Sequence, residues 1–261
     1  MYTDLSRPPL REPALRRAIV VPGGLWTDLR VVAETGSTNA DLASSARAGA
    51  PEGTVLVAER QTAGRGRLGR HWESPARAGL AVSVLLRPVS VPVARYGWLP
   101  LLAGIALVET VRRLSDVDAY LKWPNDLLLP GDRKCGGILA EVVEPGAVVI
   151  GIGLNVSLRE DELPRSDATS LGLAGAPTDR DPLLRQLLRS LAFWYSRWLA
   201  GPVRDEYLPH CGTIGRRVRV ELPDGGVREG VAVDVDKDGR LVVSTTDGHL
   251  TVAAGDVVHV R

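Results

Sequence analysis

Between Arg60 and Trp72 the chain reads Arg60-Gln61-Thr62-Ala63-Gly64-Arg65-Gly66-Arg67-Leu68-Gly69-Arg70-His71-Trp72, with four arginines, three glycines and no acidic residue. Glycines let the main chain approach a ligand closely. Arginines add planar forks of donors suited to carboxylate or phosphate. Two chemistries fit: closure over a small anion, or an RG-rich surface loop on nucleic acid. Ser37-Thr38-Asn39 either caps a helix or, with Gln61, holds a small neutral ligand bearing both N–H and C=O, such as a cyclic urea. Lys122-Trp123-Pro124-Asn125-Asp126 ends an apolar strand in a lysine just before a proline turn, where a fixed ammonium would neutralise oxyanions. Gly136-Gly137-Ile138-Leu139 and Gly151-Ile152-Gly153-Leu154-Asn155 place glycines inside strands, which marks either a tight sheet crossing or the approach of another body to the backbone. Arg67, Lys122 and Trp72 together suit a reaction that joins two anions, for instance a carboxylate attacking the α-phosphate of a nucleotide. Preorganised cations lower the repulsion between such groups.

Competing chemistries find little support. Gly151-x-Gly153 lacks the third glycine and the helix of a dinucleotide fingerprint, and no P-loop sequence occurs. His71, His210, His249 and His259 are scattered without ligand spacing, and Cys135 and Cys211 form no Cys-x-x-Cys pair, so protein-held metal and disulfide stapling are not expected.

The elements that must position these residues follow from pattern. Residues 1–27 form a Pro- and Arg-rich lead-in, partly ordered, with a short helix from about Pro13. Leu29–Ala33, Thr54–Glu59 and Leu80–Leu86 read as strands, and Ala40–Ala48 as a helix ending at Gly49. The arginine loop is thus anchored between two buried strands. Sustained apolar content at helical spacing from about Ala94 to Leu114 gives a long core helix despite Pro100 and Gly104. Tyr120–Lys122, Leu127–Leu129, Cys135–Val143 and Val148–Leu154 are further strands, the last two joined at Glu144-Pro145-Gly146. After a polar stretch, Asp181–Leu199 is amphipathic and helical, and Trp98, Trp194 and Trp198 belong to the core. From residue 213 to 261 short strands alternate with turns at Pro223–Gly226, Asp236–Gly239 and Thr246–Gly248. This is a small SH3-like β-barrel, separate from an α+β catalytic domain over 28–212.

At 261 residues, with 44% hydrophobic and 24% charged residues and 32 basic against 31 acidic side chains, the composition is that of an ordinary soluble protein. It is neither a disordered chain nor a strongly basic nucleic-acid binder. No apolar run reaches the ~18 residues of a membrane span and no signal core precedes the fold, so a cytoplasmic location is expected.

With these motifs in hand, the sequence resembles the biotin protein ligases. The match runs over about residues 28–261 and rests on Thr35-Gly36-Ser37-Thr38-Asn39, Gln61 to Arg67, Lys122 to Asp126, Lys134-Cys135-Gly136-Gly137-Ile138-Leu139-Ala140-Glu141 and Gly151 to Asn155. The resemblance implies a catalytic domain akin to class II aminoacyl-tRNA synthetases, with a mixed, mostly antiparallel sheet. It also implies two half-reactions: biotin and MgATP give biotinyl-5′-AMP and pyrophosphate, and a lysine of a biotin carboxyl carrier domain of acetyl-CoA (acyl-CoA) carboxylase then attacks the mixed anhydride. Carried over position by position, Ser37, Thr38, Asn39 and Gln61 hold the ureido ring. Arg65, Gly66 and Arg67 wrap the adenylate, with Gly136 and Gly137 on the biotin side. Lys122 meets the biotin carboxylate and α-phosphate, which makes Lys122 and Arg67 the catalytic candidates. Arg70, Trp72 and Asn125 belong to the nucleotide, and Asn155 faces the adenylate or its Mg2+.

Some members of that family carry an N-terminal helix-turn-helix and repress transcription; residues 1–27 show no such pattern, so no DNA partner is expected. A lipoate or octanoate ligase shares the fold, and the neutral polar patch of Ser37 to Asn39 with Gln61 favours a ureido ring over an alkyl chain. The arginine loop is expected to act as a lid, mobile when empty and ordered over the adenylate.

Overall fold

The computed structural model describes residues 6–221, 226–253 and 256–260. In chain order these hold α1 (Glu12–Ile19), β1 (Asp28–Val32), α2 (Thr38–Arg47), β2 (Thr54–Ala58), β3 (Gly64–Arg65), β4 (His71–Trp72), β5 (Gly79–Leu86), α3 (Trp98–Leu114), β6 (Tyr120–Lys122), β7 (Asp126–Leu129), β8 (Arg133–Glu144) and β9 (Ala147–Asn155). The long helix α4 (Arg180–Ala200), the short α5 (Arg204–Tyr207) and the strands β10 (Arg217–Glu221), β11 (Val227–Val235), β12 (Leu241–Thr245), β13 (Gly248–Val252) and β14 (Asp256–His259) complete the chain.

Seven strands form one sheet in the order β1-β2-β5-β9-β8-β7-β6, with β1 and β2 parallel and every other pair antiparallel. The fold is therefore α+β with a mixed, mostly antiparallel sheet. Alternation along each strand sorts the side chains onto two faces. On one face Leu80, Val82, Val84, Ile150, Ile152 and Leu154 join α3 and α4 in the main core. Gly104 of α3 lets the helix close on Leu121, since a Cβ there would stand 3.0 Å from a Leu121 methyl. The opposite face is covered only at one end, where Leu42 and Ala46 of α2 pack on Leu85, Ala147 and Val149. The remainder of that face is left open.

The expected helices and strands appear within a few residues of their sequence-based limits, and the long apolar helix starts at Trp98 because Val93–Gly97 is a 3-10 turn. Both cysteines are buried and free. Among the described residues no helix is long and apolar enough to cross a membrane.

The described part of the lead-in is no loose tail. Leu10, Leu15, Ile19 and Trp26 lie in the main core. Arg7, only 5% exposed, pairs with Glu162 and donates to Ser157 O at 2.7 Å. Arg180 and Glu59, both buried, pair at 2.7 Å, and Arg180 also donates to Pro8 O while Glu59 accepts from Leu10 N. These partners lie some 50 to 170 residues apart in sequence, which is why pattern reading treats the segment as a separate lead-in.

The C-terminal unit is a five-stranded antiparallel sheet in the order β13-β12-β11-β10-β14. Val218, Val220, Ala232, Val235, Leu241, Val243 and Val257 turn inward. The turns expected at Asp236–Gly239 and Thr246–Gly248 are present, with Gly239 at φ 83° and Gly248 at φ 119°. The one expected at Pro223, Asp224 and Gly225 lies outside the described residues. The unit docks through its Asp236–Gly239 turn. A Cβ on Gly239 would come within 2.9 Å of the Gly97 backbone, and the buried Trp98 and Trp123 indoles donate to Lys237 O and Gly239 O.

Candidate active site

The open face of the sheet carries the candidate residues in register. Ala81 of β5 lies opposite Gly153 of β9, Gly153 opposite Gly137 of β8, Gly137 opposite Asp126 of β7, and Asp126 opposite Lys122 of β6. Residues paired across a ladder share a face. The row thus runs from small to charged over five strands. Beside it runs a second row, Ser83, Gly151 and Leu139. A cavity of about 450 Å³ lies over both, lined by Ser37, Thr38, Gln61, Trp72, Lys122 and Asn155 among others.

The glycines have specific neighbours. A Cβ on Gly153 would fall 2.4 Å from Trp72 Cε2, and one on Gly137 3.2 Å from Trp72 Cζ3. The indole lies directly on the stripped backbone. Gly151 receives Asn39 in the same way, at 2.3 Å from Oδ1. The other body that approaches these strands is thus the protein's own aromatic and amide side chains. Gly136 is a different case. It lies opposite Leu154 and Leu127, with Leu107 of α3 3.1 Å from where its Cβ would be, so it faces the helical core and not the cavity. Grouping it with Gly137 overlooks the alternation of strand faces.

At the neutral end, Ser37 has extended backbone and caps α2 through Ala40 N. Gln61 Oε1 accepts from Thr38 N at 2.9 Å and Thr38 Oγ1 at 3.0 Å, so the Gln61 carboxamide is oriented, with its Nε2 beside Gly64. Ser83, fully buried, places its hydroxyl 2.7 Å from Thr38 Oγ1 and 2.6 Å from Asn39 Oδ1. Asn39 Nδ2 donates to Leu139 O and Glu141 Oε2. With both hydrogens and its oxygen engaged, Asn39 lines the cavity as scaffold. Ser37, Thr38 and Gln61 line the cavity at this end, with Thr38 Oγ1 shared between Gln61 and Ser83. The sequence reading misses Ser83, although it is the single hydroxyl in the apolar run Gly79–Leu86.

At the charged end a slip in the β7–β8 ladder matters. Leu127 pairs with Gly136 but Leu128 with Lys134, leaving Cys135 as a bulge. The slip turns Lys134 onto the same face as Gly137, where its Nζ meets Asp126 Oδ1 at 2.6 Å. Burial pushes the Cys135 thiol up to about 12. Lys122 lines the cavity, and among the described residues no ion pair forms at it.

The arginine segment is a short hairpin, with Gly64 opposite Trp72 and Arg65 opposite His71. A 3-10 turn at Arg67–Gly69 carries Leu68 at φ 55° and 73% exposed at its tip. Arg67 reaches across to Asn125 Oδ1 at 3.2 Å, and Asn125 is itself held by its Nδ2 to Ile138 O. Arg65, Gly66, Arg67, Arg70 and Trp72 all line the cavity. Asn155 lies at its far wall, fixed through Nδ2 to Thr169 O. Pro164, Arg165, Asp167 and Ala168, from the polar stretch before α4, close that wall, and Val257 of β14 reaches it from the C-terminal unit.

Behind Lys122 stands His259. Burial, then the positive charges of Lys122 and Arg216, hold its imidazole down to about 4, so it is neutral at neutral pH.

Residues 32–156 match the biotin/lipoate A/B protein ligase family and residues 213–260 the biotin protein ligase C-terminal domain. The chain is 47% identical over 99% of its length to the biotin–[acetyl-CoA-carboxylase] ligase of Mycobacterium tuberculosis, covering 98% of that protein. This chain belongs to the biotin protein ligase family. Among solved members of the family, the biotin protein ligase from Aquifex aeolicus in complex with biotin and ATP superposes with a TM-score of 0.77 at 28% identity, covering 90% of this chain and 100% of that one. The biotin protein ligase from Leishmania major in complex with biotinyl-5-AMP gives 0.57 at 25%, covering 87% and 99%. Each motif that carries the family resemblance contributes residues to the cavity wall.

Proposed function

We propose that this chain is an ATP-dependent ligase that converts biotin and ATP to biotinyl-5′-AMP and pyrophosphate, then transfers the biotinyl group to a lysine of a biotin carboxyl carrier domain of acyl-CoA carboxylase. The observation that carries the reading is the gradient along the open sheet face. Neutral hydroxyls and an oriented carboxamide lie at one end, a backbone trough under Trp72 in the middle, and Asp126 and Lys122 at the other. A bent ligand with a polar neutral ring, an anionic junction and a flat base finds a partner for each part, in the neutral end, Lys122 and the face of Trp72.

In this reading Ser37, Thr38 and Gln61 exchange hydrogen bonds with the ureido ring. In the first step a biotin carboxylate oxygen attacks the α-phosphorus, the new P–O bond forms, and pyrophosphate leaves with the electrons of the broken bond. Lys122 and Arg67 bring the two anions together, an interaction stronger in the transition state than in the ground state. Trp72 gives the adenine a face, and Arg65, Gly66 and Arg70 shield the anhydride from water. In the second step the neutral amine of the acceptor lysine attacks the acyl carbon, an amide forms, AMP leaves, and the amine proton passes to solvent.

Among the described residues no group of three or more His, Cys, Asp or Glu could hold a metal on its own. Mg2+ would arrive with the triphosphate, and the oxygens of Asn155 and Asp126 are hard donors of the kind it takes. When bound it would supply charge neutralisation on the phosphates. We further assign the catalytic unit to the class II aminoacyl-tRNA synthetase-like architecture and the C-terminal sheet to the SH3-like barrels, and we place the protein in the cytoplasm, with its ATP and carboxylase.

The test is biotin-dependent ATP–pyrophosphate exchange, with lipoate as control. Lys122→Ala should lower turnover by about 10²- to 10³-fold with a smaller change in the KM for biotin. A parent protein that exchanges with lipoate and not with biotin would sink the reading.

A further inference from the structure

Strand β6, which ends in Lys122, is the last strand of the seven-stranded sheet, and an edge strand exposes unpaired backbone groups. Here the chain entering the C-terminal unit covers that edge. Leu121 and Cys211 form a parallel bridge, Gly212 N donates to Leu121 O at 2.8 Å, and Trp123 N donates to Thr213 Oγ1 at 2.9 Å. Gly212 is small because the Tyr120 ring lies where its Cβ would be, 2.5 Å from Cδ2. The residue after Trp123 is Pro124, which has no N–H to add. The hydrogen bond from Trp123 N to a side chain therefore holds the backbone just beyond the lysine.

That side chain is itself braced. Thr213 is fully buried, and its hydroxyl lies 3.0 Å from His259 Nε2. His259 Nδ1 lies 3.2 Å from Arg216 Nη1, and Arg216 pairs with Asp132 at 2.7 Å, which also accepts from the Tyr120 hydroxyl at 2.7 Å. Arginine only donates, so Nδ1 must accept and Nε2 must carry the hydrogen and give it to Thr213 Oγ1. The threonine oxygen thus accepts from both units at once. The chain of contacts runs from Tyr120 through Asp132, Arg216, His259 and Thr213 to Trp123, closing a loop that begins and ends on either side of Lys122.

We propose that Thr213 and His259 are positioning residues for the reaction, side chains of the C-terminal unit that fix the Trp123 backbone and so aim the Lys122 ammonium into the cavity. The inference rests on the ligase reading for what Lys122 does, but the bracing itself is a separate matter. Its neutral imidazole suits the task, because a charged ring here would face both Lys122 and Arg216.

The test compares Thr213→Val, which keeps shape and loses the oxygen, with Thr213→Ser, which keeps the oxygen, and adds His259→Ala and His259→Gln in the full chain. Two readouts are taken: turnover and KM in biotin-dependent exchange, and the hydrogen-exchange rate of the Trp123 amide. Thr213→Val should lower turnover by about 10²-fold, the scale of an ångström's misplacement of a reacting group, with the KM for biotin within about 3-fold by the same argument. It should also speed Trp123 amide exchange, while Thr213→Ser restores both. His259→Gln, whose amide can both donate and accept, should exceed His259→Ala in turnover. Equal loss in Thr213→Val and Thr213→Ser, or unchanged Trp123 exchange in Thr213→Val, overturns the proposal. Absence of biotin-dependent exchange in the parent overturns the ligase reading alone, since the amide comparison still decides the bracing.

Discussion

Gly153→Ala places one methyl group under Trp72, and the structure says how far the ring must move. The new Cβ would stand 2.4 Å from Cε2, 2.6 Å from Cζ2 and 2.8 Å from Nε1, against about 3.4 Å for ordinary contact. The indole must therefore lift by about 1 Å along most of one edge. It cannot slide along the sheet, because Trp72 is tied into the β3–β4 hairpin, packed so closely that a Cβ on Gly64 would stand 2.4 Å from Trp72 O. Stacking of a base on an aromatic ring is worth about 1 to 3 kcal/mol, so losing it weakens ATP by roughly 5- to 150-fold at 1.4 kcal/mol per decade. Biotin should be affected less, since Ser37 and Thr38 are held by α2 and Ser83 and not by the hairpin. The assay is the KM for ATP and for biotin in pyrophosphate exchange, with Trp72→Ala and the double variant beside it. If Gly153→Ala acts through the indole, the double variant is no worse than Trp72→Ala alone. A Gly153→Ala protein with an unchanged KM for ATP, or with equal rises for both substrates, would refute the reasoning.

Arg180→Ala should destabilise the fold by about 3 to 5 kcal/mol, because it leaves the buried Glu59 carboxylate without its partner; urea unfolding measures it, and a loss under about 1 kcal/mol, far below that range, would show that the pair contributes nothing. Stability should also fall with pH through His259. Its imidazole takes a proton near 4 in the fold and near 6.5 unfolded, so the contribution is complete above about 6.5 and is lost as pH falls from there towards 4. The whole shift would amount to about 3 kcal/mol, and solvent screening of a half-buried ring leaves about 1 to 2; urea titrations at several pH values should show the slope in the parent and not in His259→Gln, and matching slopes would contradict the assignment. Trypsin should cut the Arg65–Arg70 turn readily in the free protein and slowly with biotin plus ATP, whereas equal cutting would count against a closing lid.

The sequence makes much of the site legible because the chemistry is concentrated in short motifs. Ser37 caps α2 as its position suggests, Lys122 ends a strand before a proline, and Gly137, Gly151 and Gly153 mark the places where another group lies on the backbone. What pattern reading cannot see is pairing across distance. Arg7 with Glu162 and Arg180 with Glu59 turn a Pro-rich lead-in into part of the core, and no local signal announces a partner over 100 residues away. Gly136 was within reach, since a period of two separates it from Gly137 once the strand is known. Lys134 was not, because the bulge at Cys135 reverses the face that alternation assigns to it. Asn39 shows a further limit: its type suits a ligand, and only the full set of its hydrogen bonds reveals that it is already engaged.

The aligned row from Ala81 to Lys122 makes the sheet a measuring scale. Each step is one strand spacing of about 4.8 Å, so the four steps span about 19 Å, and the two glycine rungs lie under the Trp72 indole while Ala81, Asp126 and Lys122 line the cavity. Substitution on β5 alters what one end tolerates, and substitution on β6 alters the other, with two glycine rungs between them that transmit little. New preferences at either end can therefore arise one strand at a time, while a single-residue slip anywhere in the ladder would misread the whole length at once.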